Sequence, residues 1–169
     1  YRDQKSLLEP SINFYVDPVE EFKIDKECVV TKSGKTYEYD ILVIATGSRI
    51  VPEQIPGLTE GAETFYTEES AVKMFKKLRE IEEGTVAVVV GVPHKCPIAP
   101  VELIFSMHDY FKARGIRDKI HIKYHYPIGR IHTIENVAKW AKPEFDRMGI
   151  EYETLFNVCL LYTSPSPRD

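Results

Sequence analysis

The chain has only three cysteines, Cys28, Cys96 and Cys159, at spacings that match neither a disulfide framework nor a zinc motif. A small secreted fold stapled by bridges is therefore not expected. No apolar run comes near the roughly 20 residues that span a bilayer. The longest runs, residues 41–45 and 86–90, are the length of single strands, so nothing in this chain is expected to cross a membrane. Neither sign of charge dominates: 22 Lys and Arg, spread through the chain, stand against 26 Asp and Glu, for a net charge of −4. Nucleic acid and anionic lipid are accordingly not expected as general partners. Low-complexity sequence is missing from the interior, and 169 residues that are 43% hydrophobic suffice for one core or parts of two.

What is present reads as an α/β protein. In residues 11–38 the runs INFYV, EEFKI, ECVVTK and KTYEY are separated by the turn signals DP, DK and SGK, which predicts a small antiparallel meander. Asp40 then precedes ILVIA, residues 41–45, which ends in Thr46 and Gly47. A strand without polar alternation is expected to be buried on both faces. Residues 51–65, with Pro52, Pro56, Gly57 and Gly61, read as a linker. Beyond them Thr67 is an N-cap, with Glu68 and Glu69 in the first turn of a helix that stops before Gly84. Next come a buried strand at 85–90, a helix at 101–114, a strand at 119–126, a helix at 133–148 and a strand at 150–155. That alternation predicts a βαβαβ unit with right-handed crossovers. Leu103, Ile104, Met107 and Phe111 should face the sheet, and Trp140 and Phe145 should lie in the core. The expected divisions are residues 1–50, a linker at 51–66, a second domain at 67–158 and a tail at 159–169.

The turn after the strand at 85–90 breaks the pattern of a dinucleotide site. Such a site places G-x-G-x-x-G there, so that backbone amides can approach a pyrophosphate. Here Gly91 is kept, but Pro93 stands at the second glycine and Cys96 at the third. Proline has no N–H and sets a ring where phosphate would sit, so a nicotinamide cofactor is not expected at this turn. The turn keeps the positive end of a helix beginning near residues 97–100, and a thiol held there is expected to ionise more readily, with Lys95 assisting. Glu102, in the first turn of that helix, is placed to exchange protons with Cys96. His94 is a second local acid or base, equally readable as a solvent-facing turn residue. His132, after the second strand, stands where α/β ligands gather and reads alternatively as a helix-start residue. Small residues at Ala45, Thr46 and Gly47 permit close backbone approach to a ligand, although an ordinary strand-to-loop turn has the same composition. Cys28 reads as a small buried hydrophobe, and packing or exposure accounts for His108, His121 and His125. No metal site is expected.

Two family resemblances follow from these residues. The order of meander, YDILVIATGS and a Pro-rich link to a second βαβ unit resembles the flavoprotein disulfide reductases with two dinucleotide-binding domains. That likeness implies that Ala45, Thr46 and Gly47, followed by Ser48 and Arg49, contact or support FAD, and that residues 1–50 are part of an FAD-binding domain. GVPHKCPIAPVE resembles, more narrowly, the cysteine motif of the sulfide:quinone oxidoreductases and flavocytochrome c sulfide dehydrogenases. In those families a K/R-C-P-x-x-P-x-E segment supplies one redox cysteine beside the flavin. The likeness runs in order over nearly all of residues 11–158 and assigns Cys96 to the redox cysteine and Glu102 to the motif glutamate. Some members carry a further cysteine between the ATG turn and the motif, and residues 47–95 hold none, which suggests a form with two cysteines.

The resemblance implies an FAD-dependent enzyme that oxidises sulfide through a cysteine persulfide and delivers two electrons to a quinone. It also implies peripheral membrane association on the cytoplasmic or, alternatively, the periplasmic side, with homo-oligomerisation possible. Its alternatives are a flavocytochrome c sulfide dehydrogenase, an NAD(P)H-dependent flavoprotein of the type II NADH dehydrogenase or coenzyme A disulfide reductase type, and a non-catalytic flavin-binding redox module. Both ends are expected to be cut: the FAD phosphate loop would precede Tyr1 and the partner cysteine would follow Val158. On that reading the 169-residue chain is inactive and does not retain FAD. The last stretch, CLLYTSPSPRD, resembles one translated frame of a transposon-type sequencing adapter, which would leave Cys159 without a biological role. A disordered Ser/Pro tail would have the same composition.

Overall fold

The computed structural model describes residues 3–158. The tail and Cys159 lie outside them. The chain forms two compact units, Tyr1–Gly47 and Ser48–Asp169.

In the first unit, strands β1 (Val19–Lys23), β2 (Cys28–Thr31) and β3 (Thr36–Glu38) form an antiparallel sheet in the order β1-β2-β3. The SGK turn closes the second hairpin, with Gly34 at positive φ and the Gly34 N–H donating to the Thr31 carbonyl. Asp17 accepts hydrogen bonds from the Ser33 hydroxyl and amide, and the hydroxyl bond is the main cause holding its carboxyl below the usual range. Cys28 is buried, as its apolar neighbours predicted. The run INFYV forms no strand. It leads into Asp17 and Pro18, and proline has no N–H to give a ladder. Tyr15 from this run instead packs on Tyr37, ring centroids 4.7 Å apart.

Residues 41–45 depart furthest from expectation. They are irregular, and Ile41 and Val43 are 85% and 80% exposed. Burial on both faces requires hydrogen-bonded neighbours and a layer on each side, and among the described residues no strand pairs with this run.

The second unit begins with a 3₁₀ turn (Pro52–Gln54) and a short helix α1 (Leu58–Gly61), and then enters helix α2 (Glu68–Glu80). Thr67 and Ser70 cap α2 reciprocally, which satisfies two amide groups that the helix itself cannot pair. There follow β4 (Gly84–Val89), α3 (Ala99–Ala113), β5 (Ile120–Tyr126), α4 (Glu135–Met148) and β6 (Ile150–Thr154). The three strands are parallel in the order β4-β5-β6, which is the predicted βαβαβ unit. Helix α3 starts two residues before the expected position because Pro100 suits a first helical turn, where its missing N–H costs nothing.

Register sorts the sheet into two faces. Val88 lies beside Tyr124, which lies beside Tyr152, and Ile122 lies beside Ile150. This face packs with Val101, Ile104, Met107 and Phe111 of α3, Ala138, Ala141 and Phe145 of α4, and Leu78 of α2 in one core. The opposite face carries Ala87, Lys123 and Glu151 in one row and Val89, His125 and Glu153 in the next. Lys123 pairs with Glu151 at 3.3 Å and His125 with Glu153 at 3.2 Å. Strand β4 was expected to be buried throughout, yet only Val88, with Val90 just beyond the strand, is buried. Among the described residues it pairs with β5 alone, at the edge of the sheet. Trp140, expected in the core, is 62% exposed. Ala138, Ala141 and Phe145 recur at the helical spacing and take the inner stripe, which leaves Trp140 on the flank of α4 against the edge of Phe105.

Candidate functional site

The turn from Gly91 to Ile98 joins the carboxyl end of β4 to α3, and its central residues are tied to three separate segments. His94 Nε2 and the Tyr126 hydroxyl are 3.0 Å apart, which anchors His94 to the last residue of β5. Lys95 Nζ donates to the Ser48 carbonyl at 2.8 Å. The Cys96 carbonyl accepts from the Tyr66 hydroxyl at 3.4 Å, just before α2. Cys96 is a free, half-buried thiol. With Ile98 as N-cap and Ala99 opening α3, it lies two residues outside the cap. Glu102 is in the first turn and exposed. The ammonium of Lys95, expected beside the thiol, is engaged by the Ser48 carbonyl.

Behind the turn is a tyrosine cluster. Tyr124 and Tyr126 are fully buried and stacked, ring centroids 5.6 Å apart, and the Tyr124 hydroxyl donates to the Ile131 carbonyl at 3.1 Å. Loss of solvent raises the phenol pKa of Tyr66, Tyr124 and Tyr126 above the usual value. The charge of neighbouring Cys96 adds to the rise at Tyr66. At Tyr126, nearby Thr133 and the charge of Arg130 act in the opposite direction.

A cleft of about 520 Å³ opens at the same end of β4, the position at which α/β folds gather ligands. Ile55, Leu58, Phe65, Tyr66 and Val90 give it apolar walls, and His94 and Lys95 reach its lining. Cys96 itself is not in the lining.

Ala45, Thr46 and Gly47 are exposed and irregular, and Gly47 adopts φ +73° with nothing within 4 Å of where a Cβ would stand. Backbone left uncovered in this way fits the close approach of a flat cofactor. Ser48 and Arg49 follow, also exposed, and the Arg49 guanidinium pairs with Glu53 at 3.0 Å. His132 is 1% exposed, and its Nδ1 accepts the Ile134 amide at 3.0 Å, so it stands at the start of α4. Its Nε2 is buried without a partner. Among the described residues there is no cluster of three His, Cys, Asp or Glu arranged for a metal, and no helix is long and apolar enough to cross a membrane.

The sequence reading passed over Tyr66 and Tyr126. One signal was present for the second: in HIKYHY the period of two places Tyr124 and Tyr126 on the apolar side of β5, at its carboxyl end. The partners of Tyr66 and Tyr126, 30 and 32 residues away along the chain, gave no local sign.

The sequence profile of the family described as "Pyridine nucleotide-disulphide oxidoreductase" matches residues 3–92, stopping one residue before Pro93. The mitochondrial sulfide:quinone oxidoreductase of Dictyostelium discoideum is 31% identical over 132 residues, covering 73% of this chain and 29% of that protein. The crystal structure of the sulfide:quinone oxidoreductase from Aquifex aeolicus superposes with a TM-score of 0.72 at 27% identity, over 86% of this chain and 35% of that one. The alternative NAD(P)H-ubiquinone oxidoreductase C1 of Arabidopsis thaliana is 32% identical over 126 residues, which is 72% of this chain and 24% of that protein. The chain thus spans about a third or less of the length of these relatives.

Proposed function

Because the chain belongs to the pyridine nucleotide-disulphide oxidoreductase family, matched over residues 3–92, we propose that it serves an FAD-dependent oxidoreductase of the sulfide:quinone type. The observation that carries this reading is the turn GVPHKCPIAPVE. It stands at the carboxyl end of a parallel strand, where a nicotinamide-binding relative needs glycines, and it presents a half-buried free thiol instead. Similarity to proteins named sulfide:quinone oxidoreductase supports the choice of substrate and acceptor.

In this proposal Cys96 carries the sulfur. Hydrosulfide attacks the Cys96 sulfur of a disulfide with a second cysteine, whose sulfur leaves as the thiolate; a persulfide remains on Cys96. The persulfide's S–H then ionises, and its proton passes to Glu102, exposed in the first turn of α3. Ala45, Thr46 and Gly47 would lie along the flavin, with Ser48 and Arg49 following. Bound there, FAD supplies a two-electron carrier able to reduce a quinone. Peripheral attachment to the membrane that holds the quinone belongs to the same proposal.

The test is Cys96→Ser in the complete enzyme. Sulfide-dependent quinone reduction should fall to the uncatalysed background, with flavin content unchanged. Activity that persists would make Cys96 a packing residue and remove the proposal's basis.

A second reading has its own support, because the Arabidopsis relative is named for NAD(P)H oxidation. Pro93 weighs against it, since the ring occupies the place of the amide that would meet a pyrophosphate. Flavin bleached by NADH but not by sulfide would favour this second reading.

A further inference from the structure

The three residues ending in Cys96 are each tied to a different segment: His94 to Tyr126, Lys95 to Ser48 and Cys96 to Tyr66. The outer two ties end on phenol groups from the tyrosine cluster. We propose that Tyr66 and Tyr126 are positioning residues that hold the Cys96 turn in one conformation and keep its thiol half-buried, an inference that rests on reading Cys96 as the reacting thiol.

The chemistry of the two ties favours this role. The Tyr126 hydroxyl and His94 Nε2 stand 3.0 Å apart, one donating to the other, and this bond runs from the last residue of β5 into the turn. Tyr126 has no exposed surface, and its ring is fixed by stacking on Tyr124, so its hydroxyl is a rigid post. On the other side the Tyr66 hydroxyl donates to the backbone carbonyl of Cys96 itself. Its aromatic body packs on Phe65, ring centroids 4.9 Å apart. Neither phenol binds the sulfur. Both bind the turn that carries it, and a thiol is constrained only as well as its backbone is.

The readout is alkylation of Cys96 by iodoacetamide in the 169-residue chain, followed across pH by mass spectrometry of the Cys96 peptide, separately from those of Cys28 and Cys159. Removing one tie, in Tyr66→Phe or Tyr126→Phe, should speed alkylation about three- to tenfold, the factor that one hydrogen bond supports. His94→Ala should match Tyr126→Phe, and the double variant should be no faster than either single one, since they remove the same bond. His94→Gln, whose amide can accept from or donate to the Tyr126 hydroxyl, should restore the parent rate. A role in packing alone would not distinguish glutamine from alanine at position 94. Far-UV circular dichroism controls for folding, and if Tyr126→Phe fails to fold, Tyr66→Phe and the His94 pair decide the matter. Alkylation within twofold of the parent in Tyr66→Phe and His94→Ala would overturn the inference. The reading of Cys96 as catalytic fails separately, through Cys96→Ser in the complete enzyme, whether or not the turn is tied.

Discussion

Tyr124 shows how much a single buried phenol determines. Its ring is fully buried, and its hydroxyl has the Ile131 carbonyl as acceptor. Burial, the largest cause, and the neighbouring phenols raise its pKa far above that of a free tyrosine. In the unfolded chain tyrosine ionises near pH 10; in the folded chain Tyr124 keeps its proton well beyond that. Between those limits the folded state binds more protons, so stability is complete below about pH 10 and declines as pH rises above it. Urea midpoints measured between about pH 8 and pH 11 should therefore fall at the alkaline end, and Tyr124→Phe should flatten the fall. A midpoint that declines equally in both chains would assign the effect to other groups. At this scale the sequence was legible where the chemistry is spelled locally. Pro93 and Cys96 in place of glycines could be read directly. Tyr66 and Tyr126 could not, because a tyrosine's role depends on which acceptor folding brings to its hydroxyl.

At the scale of elements, the βαβαβ order and most boundaries followed from periodicity, because a parallel strand and an amphipathic helix each leave a pattern in the chain. The errors at β4 and Trp140 share a cause. Composition states how apolar a segment is, and not how many neighbours it will have: among the described residues β4 has one strand beside it, and α4 already fills its inner stripe with Ala138, Ala141 and Phe145. Nor did the sequence reveal how α4 is joined to β5. The Arg117 guanidinium donates to the Ile120 carbonyl at 2.6 Å and to the Met148 carbonyl at 2.7 Å, with the Gly149 carbonyl at 3.1 Å. A cation thus meets the carbonyl end of α4, where the helix dipole favours it, and also fastens the first residue of the central strand. Arg117→Met should cost about 2 kcal/mol of unfolding free energy, the scale of charged hydrogen bonds lost at a half-buried site. Arg117→Lys should recover little of it, because an ammonium lacks the fork that reaches three carbonyls. Full recovery by lysine in denaturant titrations would show that charge alone is what matters.

For the whole molecule, the second unit has a complete core of its own, running from Leu78 to Ile150, while the first has a three-stranded sheet with little buried beyond Cys28 and Thr31. The run at residues 41–45, following that sheet, has a consequence for the behaviour of the protein in solution. It is uncharged, holds three β-branched residues, lacks proline and leaves its amides unpaired in the described structure. Such a segment is a template for strand addition by another chain. The purified chain should therefore self-associate as its concentration rises, with β-rich aggregates growing from this run. Val43→Lys, which puts a charge where the side chain is already 80% exposed, should raise the concentration at which light scattering sets in without altering the thermal midpoint. The stretch that reads as the most core-like strand of the sequence would then set the colloidal limit of the protein.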